Sequence, residues 1–96
     1  MTDDEFEWDD VKAASNLADH RVAFEDARLA FSDAFAISRA DRREDYGEAR
    51  LILLGMAIDR LLVVAYTLRG ERIRIISARI AEPRERRRYH ADNTRH

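Results

Sequence analysis

From Arg50 onward the chain carries three apolar runs, Leu51 to Met56, Leu61 to Thr67 and Arg72 to Ile80, parted by short breaks at Ala57 to Arg60 and Leu68 to Glu71. Runs this short with spacers this tight predict an antiparallel meander, and the β-branched Val63, Val64, Ile73, Ile75 and Ile76 favour strand. The middle run is apolar on both parities and is the expected central strand. Upstream, Phe6-Glu7-Trp8 alternates as a short edge strand does. Asp9 reads as an N-cap with Asp10 in the first turn. Val11, Ala14, Leu17 and Ala18 then recur at helical steps through about Asp19, an amphipathic helix with a narrow apolar stripe and Trp8 closing its end. A second helix is expected from about Phe24 to Ser32, with Phe24, Ala27, Ala30 and Phe31 on one face. Ser38 to Glu48 is dense in charge without an apolar period and reads as an exposed loop. Ala81-Glu82-Pro83 ends the sheet, and Pro83 opens a last helix to about Tyr89. Met1 to Glu5 and His90 to His96 are expected to be flexible ends. The predicted order is β-α-α-loop-β-β-β-α. It describes an α+β fold in one domain over residues 1–96: a small antiparallel twisted sheet, two N-terminal helices and one C-terminal helix, with the helices on one face.

Charge changes this picture, because it is segregated along the chain. Met1 to Glu48 carries 14 acidic and 6 basic residues, Ala49 to His96 carries 5 and 11, and the net charge of -2 hides the asymmetry. Of 17 basic residues only Lys12 is lysine, so the basic half favours planar, bidentate contacts to phosphate or carboxylate. A GC-rich genome would give the same arginine bias. With no cysteine there is no disulfide, thiolate nucleophile or cysteine zinc site. His20, His90 and His96 are dispersed, so no metal and no cofactor are expected. The start of the chain is acidic and its longest apolar run, Leu51 to Ile58, falls far short of the roughly 20 residues a bilayer crossing needs. A soluble, cytoplasmic protein is the expectation, with no membrane partner.

Taken in order, Phe6-Glu7-Trp8-Asp9, Asn16-Leu17 with His20, Val63-Val64 with Tyr66-Thr67, Arg74-Ile75-Ile76-Ser77-Ala78-Arg79, and Glu82 with Tyr89 form a pattern. Over about Phe6 to Tyr89 the chain resembles the BrnT family, toxins of bacterial type II toxin–antitoxin pairs. The resemblance implies a ribonuclease with a RelE-like fold, held inactive by a DNA-binding antitoxin of the BrnA kind that also represses the shared operon. The chain departs from the family pattern at Arg21 and at Asp59, where glycine is usual, and at Asp33-Ala34, where Asp-Pro is usual; these changes touch turns rather than chemical groups.

Metal-free RNA cleavage needs an acceptor for the 2′-OH proton, stabilisation of charge on the phosphate, and a donor to the leaving oxygen. In an antiparallel meander Arg60, at the start of the central strand, should face Arg79, at the end of the last one, and the two would clamp a phosphate. Arg69 and Arg72 flank the intervening turn. Each arginine has a structural alternative in a surface ion pair with Glu82, Glu85 or Asp59. His20 is the candidate for proton transfer, or else a cap at its helix end. Glu82 is a candidate base, or else a cap of the last helix. Arg72, Arg74, Arg84, Arg87 and Arg88 are candidate contacts to RNA backbone, and Arg84 to Arg88 alternatively meet an acidic antitoxin surface or solvent. Tyr66 and Tyr89 would stack on a base or complete a core. A non-catalytic RNA- or partner-binding module on a toxin scaffold is the rival reading. DNA contact is expected only through the antitoxin, since there is no helix-turn-helix signature.

Overall fold

A computed structural model describes residues 1–43 and 45–93. The elements are β1 (Phe6–Glu7), α1 (Asp10–His20), α2 (Phe24–Ala27) running into a 3₁₀ turn (Arg28–Ser32), β2 (Ile37–Ala40), β3 (Leu51–Ala57), β4 (Arg60–Arg69), β5 (Arg72–Ile80) and α3 (Pro83–Asn93). The sheet order is β1-β5-β4-β3-β2, with β4 central as its two-sided apolarity requires. All neighbours pair antiparallel except β1, which runs parallel to β5 through Phe6 opposite Ile73, so the sheet is mixed rather than purely antiparallel.

Helices cover both faces, not one. Phe6, Trp8, Val22, Phe24, Ala27 and Ala30 pack with Leu53, Leu62, Val64 and Ile75 on the α1/α2 face. A smaller cluster, Ile52, Leu54, Leu61, Val63, Ala81 and Tyr89, lies under α3. Gly55 lets the 3₁₀ turn sit close against the sheet: a Cβ there would lie 2.8 Å from the Ala30 carbonyl oxygen.

Asp9 caps α1 as read, accepting from Val11 N–H at 2.8 Å and Lys12 N–H at 3.3 Å. The stripe assigned to its buried side is on the outside, with Val11 76% and Leu17 52% exposed. Asn16 faces the sheet instead. Its amide donates to the carbonyls of Val22 (2.8 Å) and Ala78 (2.9 Å) and accepts from Ala78 N–H (3.0 Å), standing in for a neighbouring strand along that part of the β5 edge.

Three other segments differ from expectation. Part of the charged loop is a strand, β2, whose outward position needs no apolar alternation. Met1 to Glu5 is tied down rather than loose: Trp8 N–H donates to Met1 O at 2.9 Å, and Asp3 accepts from Phe6 N–H at 2.7 Å. The last helix continues past Tyr89 to Asn93; residues 94–96 of the predicted tail lie outside the described residues. No helix among the described residues is long and apolar enough to cross a membrane.

Candidate functional site

α3 crosses one end of its face of the sheet and is anchored at both ends. Asp33 Oδ2 accepts from the Tyr89 hydroxyl (2.7 Å) and from Met56 N–H (2.8 Å), joining α3 to β3 and the 3₁₀ turn. Burial pushes the Tyr89 hydroxyl up to about 12, helped by the Asp33 carboxylate beside it. Burial also opposes the charge on Asp33, but the Met56 N–H, the Tyr89 hydroxyl and the Phe35 N–H outweigh it and hold the carboxyl below its ordinary range.

At the other end Glu85 grips Arg79 bidentately, Nη1 to Oε1 at 2.8 Å and Nη2 to Oε2 at 2.7 Å. The same Glu85 Oε1 accepts from Glu82 N–H at 2.7 Å, the return half of a capping box that fixes the start of α3. The guanidinium, then burial working against it, then the Glu82 N–H set the Glu85 carboxyl, which falls to about 2; Arg79 is correspondingly raised. Two guanidinium nitrogens are engaged, while Nε–H has no partner among the described residues and the side chain stays 38% exposed.

Beyond α3 the sheet is open. A cleft of about 250 Å³ is lined by His20 from the end of α1, Arg39 from β2, Arg43 after it, and Ser77 and Arg79 from β5, over a floor of Ile52, Val63 and Ala65. Asn16 holds α1 on β5 one turn before His20, which is how a helix on the opposite face brings its last residue to this cleft. Arg43 is aimed by Asp41, whose side chain is 1% exposed and receives Nε and Nη2 at 2.9 Å each. Those bonds hold the Asp41 carboxyl well below the usual carboxylate range and raise Arg43. A smaller apolar cleft adjoins, lined by Ile37, Arg39, Ile52, Leu54, Val63, Glu85 and Arg88.

The expected clamp of Arg60 and Arg79 does not form. Val63 pairs with Arg79, and Arg60 lies three residues before Val63, so the period of two sends the side chains to opposite faces. Arg60 Nη1 donates to the Arg21 carbonyl (3.0 Å) and Nη2 lies 3.6 Å from Asp26, which makes it a cap on the C-terminal end of α1. Arg69, Arg72 and Arg74 sit at the far end of the β4–β5 hairpin. Seven residues of strand, about 23 Å, separate Arg72 from Arg79, too far to share one phosphate. There Arg69 meets Glu48 (3.7 Å), Arg72 the Asp3 carbonyl (2.7 Å) and Arg74 Glu7 (2.8 Å).

Neither tyrosine is available for stacking. Tyr66 is 8% exposed, edge-on to Phe31, with its hydroxyl 2.7 Å from Ser38 Oγ; Tyr89 is 6% exposed. Glu82 is outermost, 64% exposed and 4.0 Å from Arg79, so the closer carboxylate is Glu85. Arg84 and Arg87 are exposed on α3, and Arg88 reaches the apolar cleft. The ion pair with Glu85, expected as the alternative to catalysis, is what Arg79 makes; sequence reasoning gave no site role to Arg39, Arg43 or Ser77 and no positioning role to Asn16 or to Glu85 as a cap. Glu85 had a signal, the three-residue spacing from a residue preceding Pro83; Arg39 and Arg43 had none, sitting in a segment without period.

The cleft thus gathers three guanidiniums, an imidazole and a hydroxyl on the open face of a small sheet, an arrangement suited to an anion and to proton transfer beside it. No curated protein matches the chain. A family profile described as "Ribonuclease toxin, BrnT, of type II toxin-antitoxin system" matches residues 8–85, which takes in every residue lining this cleft. The chain therefore belongs to the BrnT family of ribonuclease toxins of type II toxin–antitoxin systems.

Proposed function

We propose that this chain is an endoribonuclease toxin that cuts RNA without a metal, on a RelE-like scaffold, and is neutralised by a BrnA-type antitoxin. The observation that carries the reading is the cleft holding His20, Arg39, Arg43, Ser77 and Arg79 together. In this reading the scissile phosphate lies against the open edge of Arg79 and against Arg39 and Arg43, which offset the charge that develops as the 2′-OH attacks. His20 exchanges the proton with the attacking or leaving oxygen. Glu85 is a positioning residue: at a pKa of about 2 it is too weak a base to take the 2′-OH proton, but it fixes the plane of Arg79.

The test is cleavage of a single-stranded RNA in excess chelator. Wild type should leave 2′,3′-cyclic phosphate ends, Arg79→Ala should lose about 100-fold in rate, and Arg60→Ala should cut within a few-fold of wild type. Equal rates for Arg79→Ala and wild type would remove the site, and loss of cleavage in chelator would remove the metal-free route. One observation favours a second reading, a module that binds RNA or a partner without cutting: Arg79 already holds a carboxylate. Salt-dependent RNA binding with intact substrate recovered would select it.

A further inference from the structure

β2 is the last strand of the sheet, and among the described residues no strand pairs with its outer edge. Asp41 N–H donates to Arg50 O at 2.8 Å, and Ile37 and Arg39 stand opposite Leu54 and Ile52. Antiparallel alternation therefore turns the N–H and C=O groups of 37, 39 and 41 toward β3 and those of Ser38 and Ala40 outward. Among the described residues these outward groups have no backbone partner. Phe35, two residues before the strand, is 58% exposed, and Arg39, Arg42 and Arg43 are all exposed.

We propose that the free edge of β2 receives an extended, acidic segment of a protein partner as a sixth strand. Identifying that partner with the antitoxin rests on the function proposed above; the strand addition does not. A second copy of this chain fits poorly, because pairing two β2 edges would bring six arginines together. RNA fits less well than peptide, because the outward Ser38 and Ala40 carbonyls need donors at ladder spacing, which a peptide backbone offers and a phosphodiester chain does not. Side chains of the added strand on the α3 face fall beside Ile37 and Arg39, at the rim of the apolar cleft floored by Ile52, Leu54 and Val63. An aliphatic side chain beside Ile37 would close that cleft while an acidic one two residues away, on the same face, met Arg39 and Arg88. The segment should accordingly place aliphatic and acidic residues in turn at every second position.

The probe is a capped octapeptide with Leu and Glu in turn at every second position and Ser between them, with a second in which Lys replaces Glu, titrated into the full chain and followed by backbone amide NMR and hydrogen exchange. Exchange of the Ser38 and Ala40 amides should slow about tenfold at saturation, and the Lys peptide should bind about tenfold more weakly. Ala40→Pro removes an outward donor and leaves the β2–β3 ladder whole, so it should weaken binding about tenfold with an unchanged rate of RNA cleavage. If that variant misfolds, the wild-type exchange data and the Lys peptide decide. Unmoved Ser38 and Ala40 amides, undiminished binding by folded Ala40→Pro, equal binding of the Lys peptide, or an RNA oligonucleotide protecting those amides as well as the peptide does would each overturn the proposal. RNA cleavage on the same sample reports separately: binding at β2 without cleavage would keep the edge and sink the nuclease.

Discussion

Ile58 shows how much a single position can work against its fold. It sits in the two-residue turn between β3 and β4 with φ at +60, three-quarters exposed, while its neighbour Asp59 is not in the positive-φ region. One positive φ at the first turn position is the pattern that favours glycine, and a β-branched side chain is strained there. Ile58→Gly should raise stability by about 1 kcal/mol, the relieved strain exceeding the added freedom of the unfolded chain. A urea midpoint that falls would show the turn is not strained. Arg21 occupies the same kind of position at the end of α1, with φ at +58, and its N–H closes on Leu17 O at 3.0 Å. The departures noted at Arg21 and Asp59 thus fall at, or beside, residues of positive φ.

At the scale of elements, the notable feature is that α1 is held by a polar residue more than by its apolar stripe. Asn16 satisfies three backbone groups, and its truncation would leave the Ala78 N–H and two carbonyls buried without partners. Asn16→Ala should therefore cost about 3 kcal/mol and, by releasing the end of α1, reduce RNA cleavage through His20. Asn16→Asp should not rescue either, because a carboxylate can accept from Ala78 N–H but cannot donate to the carbonyls. Measuring denaturation and cleavage on the same variants separates the two effects: lost cleavage with unchanged stability would contradict the helix-anchoring role.

For the whole molecule, the carboxylates that order the α3 face set a pH window. Glu85 has a pKa near 2 in the folded state against an ordinary 4.5, so its contribution is complete above about 4.5 and disappears as pH falls toward 2. The size is on the order of 2 kcal/mol once solvent screening of the partly exposed Arg79 is allowed for. Tyr89 runs the other way: raised from 10 to about 12, it contributes fully below pH 10 and the contribution is lost as pH climbs to 12. Denaturant midpoints should be flat between these limits and fall outside them. Tyr89→Phe should flatten the alkaline limb and Glu85→Gln should shrink the acid one; unchanged limbs would show that these groups do not carry the dependence. The three apolar runs, the N-cap at Asp9 and the start of α3 at Pro83 were legible in the chain because each is a local pattern, period two or a cap one turn from its partner. Arg79 was singled out there from its place at the end of the last strand, and His20 as the histidine lying outside the tail. The grouping of the site was not legible, since which face a strand residue occupies depends on register: a three-residue offset put Arg60 behind the sheet, and the pairing of a charged edge strand brought Arg39 and Arg43 in front of it. Local spacing determined the elements and the residue types at hand, whereas long-range pairing, to which single-sequence periodicity is blind, decided which guanidiniums meet.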